Sequence, residues 1–451
     1  MARRAAVEGQ DLKQICCGAE SSPFGDGPAP LLPSLNGVLG REKISMQDSL
    51  GNTITTASAE ALRLIESAID QHARGWPGAL ETAEAAANED PALAIAPALQ
   101  ALIHGMWGRR ALAEAAMSRA VQLARHASAR EKSLLELLEH VVRGRTQAGL
   151  AWLLAHVRRF PSDLLALTTG VGAYGLFAFS GRSDHHEQRL SWLDELERHY
   201  PADYPWLLAY RGWMRIELGA VDEGLWMALR AIESKPQNAH NAHIVAHGFH
   251  EAQRPNDYLK FLPGWLAGYP EEGLLWGHLQ WHAAIAELTL CDDEAALRRC
   301  RDVIVAHLPR GAPFMGLADG PSLLWLLGLR SVSGLPWAEV AQHTSCHFAS
   351  GSNPFGELHL AMVAAALRDR DALAHCRKRL ENLVAGGSAG ARAALGWVAG
   401  LVGFLDDDPD SGVRSLRECQ DEAVRLGGSN AQRSIIAQTR EARRIPAATP
   451  R

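Results

Sequence analysis

Among the 451 residues there is no apolar run long enough to cross a bilayer, so no membrane-spanning segment is expected. Disulfide chemistry is also poorly served. The seven cysteines are odd in number and thinly spread, and they form neither a staple framework nor a Cys-x-x-Cys site. A reducing cytoplasm is therefore the expected compartment. The segment from Met1 to Gly9 has charged interruptions and no apolar stretch of the secretory-leader kind. Nor is there a basic excess, with 45 Lys and Arg against 51 Asp and Glu and a formal net charge of -6. Nucleic acid is accordingly not expected as an obligatory partner, because phosphate binding needs a basic stripe. Three nucleotide or hydrolase signatures are excluded: there is no Gly-x-x-x-x-Gly-Lys-Ser/Thr, no Gly-x-Gly-x-x-Gly after a strand, and no Gly-x-Ser-x-Gly elbow on an α/β sheet. Strand alternation is absent too, and each of those motifs needs a strand-to-helix turn.

What the chain has is helix-forming composition, rich in Ala, Leu, Arg and Glu and 47% hydrophobic. Residues 1–47 read as an irregular or partly disordered arm, because 21–37 is dense in Pro, Gly and Ser. From 48 to 440 helix follows helix, and 441–451 reads as a flexible tail. The clearest pattern lies between Pro205 and Pro309. Helices over 206–218 and 221–234, 237–252 and 256–268, and 272–290 and 293–308 form three hairpins at a spacing of about 34 residues, the tetratricopeptide period. One such hairpin cannot bury its apolar face, and stacking several buries a continuous core. The expected fold is all-α: tetratricopeptide-like hairpin repeats in a curved solenoid with a concave groove. Ends of such arrays expose apolar helices unless capped, which leaves a homodimer open.

Four stretches carry a more specific likeness: DSLGNTITTASAEAL (48–62), HNAHIVAHGFHEAQRPNDYLKFLPGW (240–265) with GHLQWHAAIAELTLCDDEAAL (277–297), ADGPSLLWLLGL (318–329) with NPFGELHLAMVAAA (353–366), and GGSNAQRSII (427–436). The chain resembles the tetratricopeptide repeat protein 38 family, bacterial type, over most of 48–440. In that family the last motif usually reads G-G-S-H-A-Q-R. Here Asn430 takes the His position, while Gln432 and Arg433 match. The resemblance implies a helical-repeat fold with an interior groove and supplies no reaction.

The densest ionisable cluster is His240, His243, His247 and His250, which fall within an arc of about 80° on one helix face at 100° per residue. His243 and His247 are i, i+4, as are His278 and His282 on the first helix of the next hairpin. Neutral imidazoles exchange protons near pH 7, so these four, with Asp319, are the candidate catalytic residues. Asp319 is also read as a cap for a helix beginning near Pro321. Tyr174, on an earlier first helix, Tyr210, Trp213 and Trp281 are candidate apolar walls. Glu357, His359, Gln432 and Arg433, with His240 and His250, complete the candidate ligand-binding set. Each has a structural alternative in repeat core, caps or helix clamps. HTSCH (343–347) carries another i, i+4 pair, but its surroundings lack periodicity and Cys346 is off the shared face. No metal or other cofactor is assigned, since His-Glu-x-x-His is absent.

Two functions follow as expectations. One is binding of a small polar molecule or peptide in a His- and Trp-lined groove. The alternative is a cofactor-independent hydrolase or lyase using groove histidines as acid and base. His and Trp are unusual lining for a peptide groove, and that keeps the enzyme reading open.

Overall fold

The computed structural model describes residues 45–446. Most of the arm expected over 1–47, and the end of the tail, lie outside these residues. Twenty-one α-helices run between Ala59 and Ala442. The only strands among the described residues are Met46–Gln47 and Thr53–Ile54, an antiparallel pair with Met46 opposite Ile54. Two-residue strands are too short to show alternation, so no pattern along the chain announces them. Asp48 holds their turn, its carboxylate accepting from the backbone N–H of Asn52 at 2.7 Å. None of the helices is long and apolar enough to cross a membrane.

The helices pair as antiparallel hairpins, and the local chemistry explains where they start and stop. Ser128 caps Ala129–Val142 in a capping box with Glu131. Asn238 caps Ala239–Glu251 by accepting from the Asn241 N–H at 3.1 Å. Gly219, at φ 91°, turns Pro205–Glu217 into Val221–Ser234. These two helices approach so closely that a Cβ at Gly212 would lie 2.7 Å from the Gly224 carbonyl oxygen. Val221–Ser234 keeps the one-sided apolar stripe of an outer helix, burying Leu225, Ala228, Ala231 and Ile232.

Three local readings are corrected. The helix expected near Pro321 begins earlier and spans Pro313–Leu329, with Pro321 inside it. Asp319 therefore sits mid-helix and caps nothing. The return helix of the third hairpin is α only over Asp293–Arg299 and continues as a π-helical stretch, Cys300–Val305. Tyr174 and Phe177 are not on a helix. The helix Leu164–Val171 stops before them, and at Gly175 a Cβ would lie 2.8 Å from the Gly170 carbonyl carbon. Only glycine permits that close fold-back.

Both ends of the array return to its middle. The Ala239 N–H donates to the Arg74 carbonyl at 2.9 Å, and the Tyr269 hydroxyl donates to the Gly75 carbonyl at 2.7 Å. At the other end, the last helix, Asn430–Ala442, packs on Ala239–Glu251 and on Pro313–Leu329. The Gly428 N–H donates to the Ala173 carbonyl at 3.1 Å. The apolar interior forms two clusters, one from Ile54 to Ala286 and one from Trp281 to Ile436. They meet at helix Trp276–Thr289, which gives Leu279 and Ala283 to the first and Trp281 and Ala284 to the second. This helix is buried continuously from His278 to Leu288, and it carries two of the candidate histidines.

Candidate functional site

Helix Ala239–Glu251 presents His243 and His247, and helix Trp276–Thr289 presents His278 and His282. The i, i+4 spacing puts each pair on one face, and the two faces meet. His247 Nε2 lies 2.9 Å from His243 Nε2, and His278 Nε2 lies 3.0 Å from the same atom. One ring nitrogen from each of the four lies within 4.8 Å of the others. His243 is 9% exposed, His278 and His282 3% each, and His247 1%. The histidines thus lie beneath the packed helices and do not line an open surface. Burial pushes His243, His247 and His282 well below the usual imidazole range, and the neighbouring imidazoles push them further. Their rings are neutral near pH 7, with lone pairs for a proton or a cation.

Two carboxylates stand behind the cluster. Asp319 Oδ1 is 2.7 Å from His278 Nδ1, reaching across from helix Pro313–Leu329. No Arg or Lys pairs with Asp319 among the described residues. Glu217, whose side chain is fully buried, approaches His247 Nδ1 at 3.9 Å. It also accepts from the Asn430 N–H at 2.9 Å and from Trp213 Nε1 at 3.3 Å, and lies 3.5 Å from Arg433. Burial raises its pKa, against the opposing pull of Arg433. The sequence reading did not select Glu217. Its signal was available, since Tyr210, Trp213 and Glu217 follow i, i+3, i+7 and so share one buried face.

The remaining candidates divide. Trp281 belongs to the site: its ring lies parallel to His278 at 5.3 Å, and its Nε1 donates to Ser322 Oγ at 3.0 Å. Trp213 stands 5.9 Å from the His247 ring and Tyr210 6.1 Å from the His240 ring. His240 faces Gly75 and is pushed down to about 4 by burial. His250 shares with His282 a small space of about 10 Å³. Gln432 closes a capping box with Ser429 and donates to the Tyr174 hydroxyl at 2.6 Å. Arg433 donates to the Gly428 carbonyl at 2.7 Å and to Asn430 Oδ1 at 2.6 Å, so it clamps the start of the last helix beside Glu217. Asn430 turns its own amide to the Glu217 carbonyl at 3.0 Å. Glu357 and His359 are not brought to the cluster. Glu357 is held in a two-point pair with Arg379 at 2.8 and 2.9 Å, and His359 Nδ1 bonds the Phe355 carbonyl at 2.8 Å.

A cleft of about 310 Å³ opens beside Trp76, Trp107, Arg109, Arg310, Leu274 and His307. Leu274 and His307 also line an inner space of about 20 Å³ whose other walls include His278 and Asp319. A space of that size holds about one water molecule. His307 thus lines both the cleft and the space beside His278, a placement no spacing pattern announced.

No family model matches the chain. Among solved structures it is similar to one titled "Structure of Naa15/Naa10 bound to HypK-THB", at 12% identity and a TM-score of 0.24, over 84% of this chain and 54% of that one. The chain therefore spans about half the length of that protein. At this score the likeness carries no argument about the site, and the helical-hairpin architecture rests on this chain's own packing.

Proposed function

We propose that this protein binds a small polar molecule whose body occupies the Trp76–Trp107 cleft and whose reactive group reaches the histidine cluster past His307. The resemblance to the tetratricopeptide repeat protein 38 family fits this reading in fold and interior groove. The observation that carries it is the shared wall: Leu274 and His307 line both the cleft and the space at His278 and Asp319. A peptide is a poorer fit, because the histidines are buried. A second reading, catalysis, is favoured by the Asp319–His278 pair. A carboxylate on Nδ1 fixes the tautomer that leaves Nε2 as base, the arrangement acid–base hydrolysis or lysis needs.

A thermal-shift screen of small polar molecules on the whole chain tests the reading. Hits are expected to raise the melting temperature of the wild type and to lose that effect in His307→Trp, which enlarges the side chain at the shared wall. Hits that bind His307→Trp and His278→Gln as tightly as the wild type would place the ligand elsewhere.

A further inference from the structure

We infer that His243, His247, His278 and His282 form a binding site for one divalent first-row transition-metal ion, with Asp319 and Glu217 as outer partners of the ligating imidazoles. The i, i+4 spacings let two imidazoles share a ligand but do not by themselves assign a metal. Tertiary packing supplies the rest by bringing two ordinary i, i+4 pairs face to face.

Hydrogen bonding leaves two buried ring nitrogens of this cluster, His247 Nδ1 and His282 Nε2, without a partner among the described residues. With Asp319 on His278 Nδ1 that nitrogen is the donor, and the tautomer protonated there alone has a bare lone pair at Nε2. In that tautomer His243 Nε2 supplies the proton between them at 3.0 Å. That same nitrogen faces His247 Nε2 at 2.9 Å, so one proton must serve two acceptors. His247 Nδ1 becomes a buried N–H with no hydrogen-bond partner, and His282 Nε2 is likewise buried without one. Unmade hydrogen bonds of this kind are costly in an interior. A cation resolves the count. It accepts the converging lone pairs at once, leaves the His278 Nδ1–H on Asp319, and turns the His247 Nδ1–H toward Glu217.

The dimensions fit as well. Nitrogens bound to zinc at about 2.0–2.1 Å in a tetrahedron lie about 3.3 Å from one another. The two shortest separations, 2.9 and 3.0 Å, need to open by a few tenths of an ångström, and the set as a whole already lies within 4.8 Å. Imidazole nitrogens without thiolate or oxygen ligands suit Zn, Ni, Cu or Fe and disfavour Mg or Ca. The buried Asp319 carboxyl has no Arg or Lys ion-pair partner among the described residues, which suits a cation behind His278. Carboxylate–histidine–metal arrangements are a recurrent means of fixing a ligand's tautomer.

The inference rests on reading this cluster as the functional centre, but it can fail separately. Full-length untagged protein is stripped with a chelator, checked for folding by circular dichroism, and titrated with Co²⁺ alone, followed by competition with Zn²⁺. The expected result is one equivalent of Co²⁺ with a visible d–d band, displaced by Zn²⁺, and a raised melting temperature. Asp319→Asn is expected to weaken uptake about 10–100-fold. His343→Gln/His347→Gln, which alters the other histidine pair, is expected to bind as the wild type does. A folded, stripped wild-type chain that takes up neither ion overturns the inference, whatever the variants do. So does uptake that persists undiminished in a folded His243→Gln/His278→Gln protein. Small-molecule hits that depend on His307 without any metal uptake would remove the metal and leave the ligand reading standing. Metal uptake with no such hits would do the reverse.

Discussion

Two helices carry histidine pairs at the same spacing as each other and at opposite ends of usefulness. His278 and His282 on Trp276–Thr289 face His243 and His247, and all four are buried. His343 and His347 on Trp337–Phe348 have rings 4.9 Å apart, close to the 4.5 Å between His243 and His247. Yet His343 Nε2 turns to the Pro313 carbonyl at 3.1 Å, and His347 stays exposed. The spacing is necessary for two imidazoles to share a ligand, but it is not sufficient. A second pair must arrive from a neighbouring helix, and carboxylates must stand behind the rings. The central helices provide both because they are packed on every side, whereas Trp337–Phe348 buries only part of one face.

The contrast can be broken by substitution. The largest effect is expected at Trp281→Ala, which removes a buried ring stacked on His278 together with its bond to Ser322. A loss of about 3–5 kcal/mol in chemical denaturation is expected. Glu217→Gln comes next, at about 3 kcal/mol, because it leaves the largely covered Arg433 side chain without the buried Glu217 carboxylate. Cooperative melts that barely shift in either variant would mean that the centre is not held as described. The clamp itself was visible in the motif GGSNAQR, but its target was not, since Glu217 lies 213 residues from Asn430.

Acid sharpens the same comparison. Burial pushes His359 and His240 down to about 4 and the central histidines well below the free value. A folded-state pKa below the unfolded one, about 6.5, makes the contribution full above pH 6.5 and lost as the pH falls toward the folded pKa. Melting temperature is therefore expected to drop steeply between pH 6.5 and 4.5. His359→Gln should make that slope shallower by about 2 kcal/mol over the interval. A flat profile in the wild type would contradict neutral buried imidazoles. The smallest effects belong to the second pair. His343→Ala should cost about 1 kcal/mol for its one carbonyl bond. His347→Ala should fall within about 0.5 kcal/mol, as exposed positions do. A larger loss at His347 would show that this pair has a partner after all.

Much of the architecture was legible locally. Ser128, Gly219 and the Gly-Gly-Ser before Asn430 mark helix boundaries by backbone chemistry that acts within a few residues, and the structure keeps them. Readings failed where a local signal was overridden. Pro321 suggested a helix start, but the helix tolerates the lost hydrogen bond and runs through it, which moves Asp319 from a cap to the partner of His278. Gly170, Gly172 and Gly175 end a helix that apolar content alone would have extended over Tyr174.

The sequence by itself determined the helical class, the hairpin pattern of the middle of the chain, and the two i, i+4 histidine pairs, because periodicity and capping are properties of neighbouring residues. Only the tertiary structure decided that both ends of the array return to its middle helices, that the histidines are buried, and that Asp319, Glu217 and His307 are the groups beside them. Those facts depend on contacts between residues tens to hundreds of positions apart, and no local pattern encodes which buried face meets which.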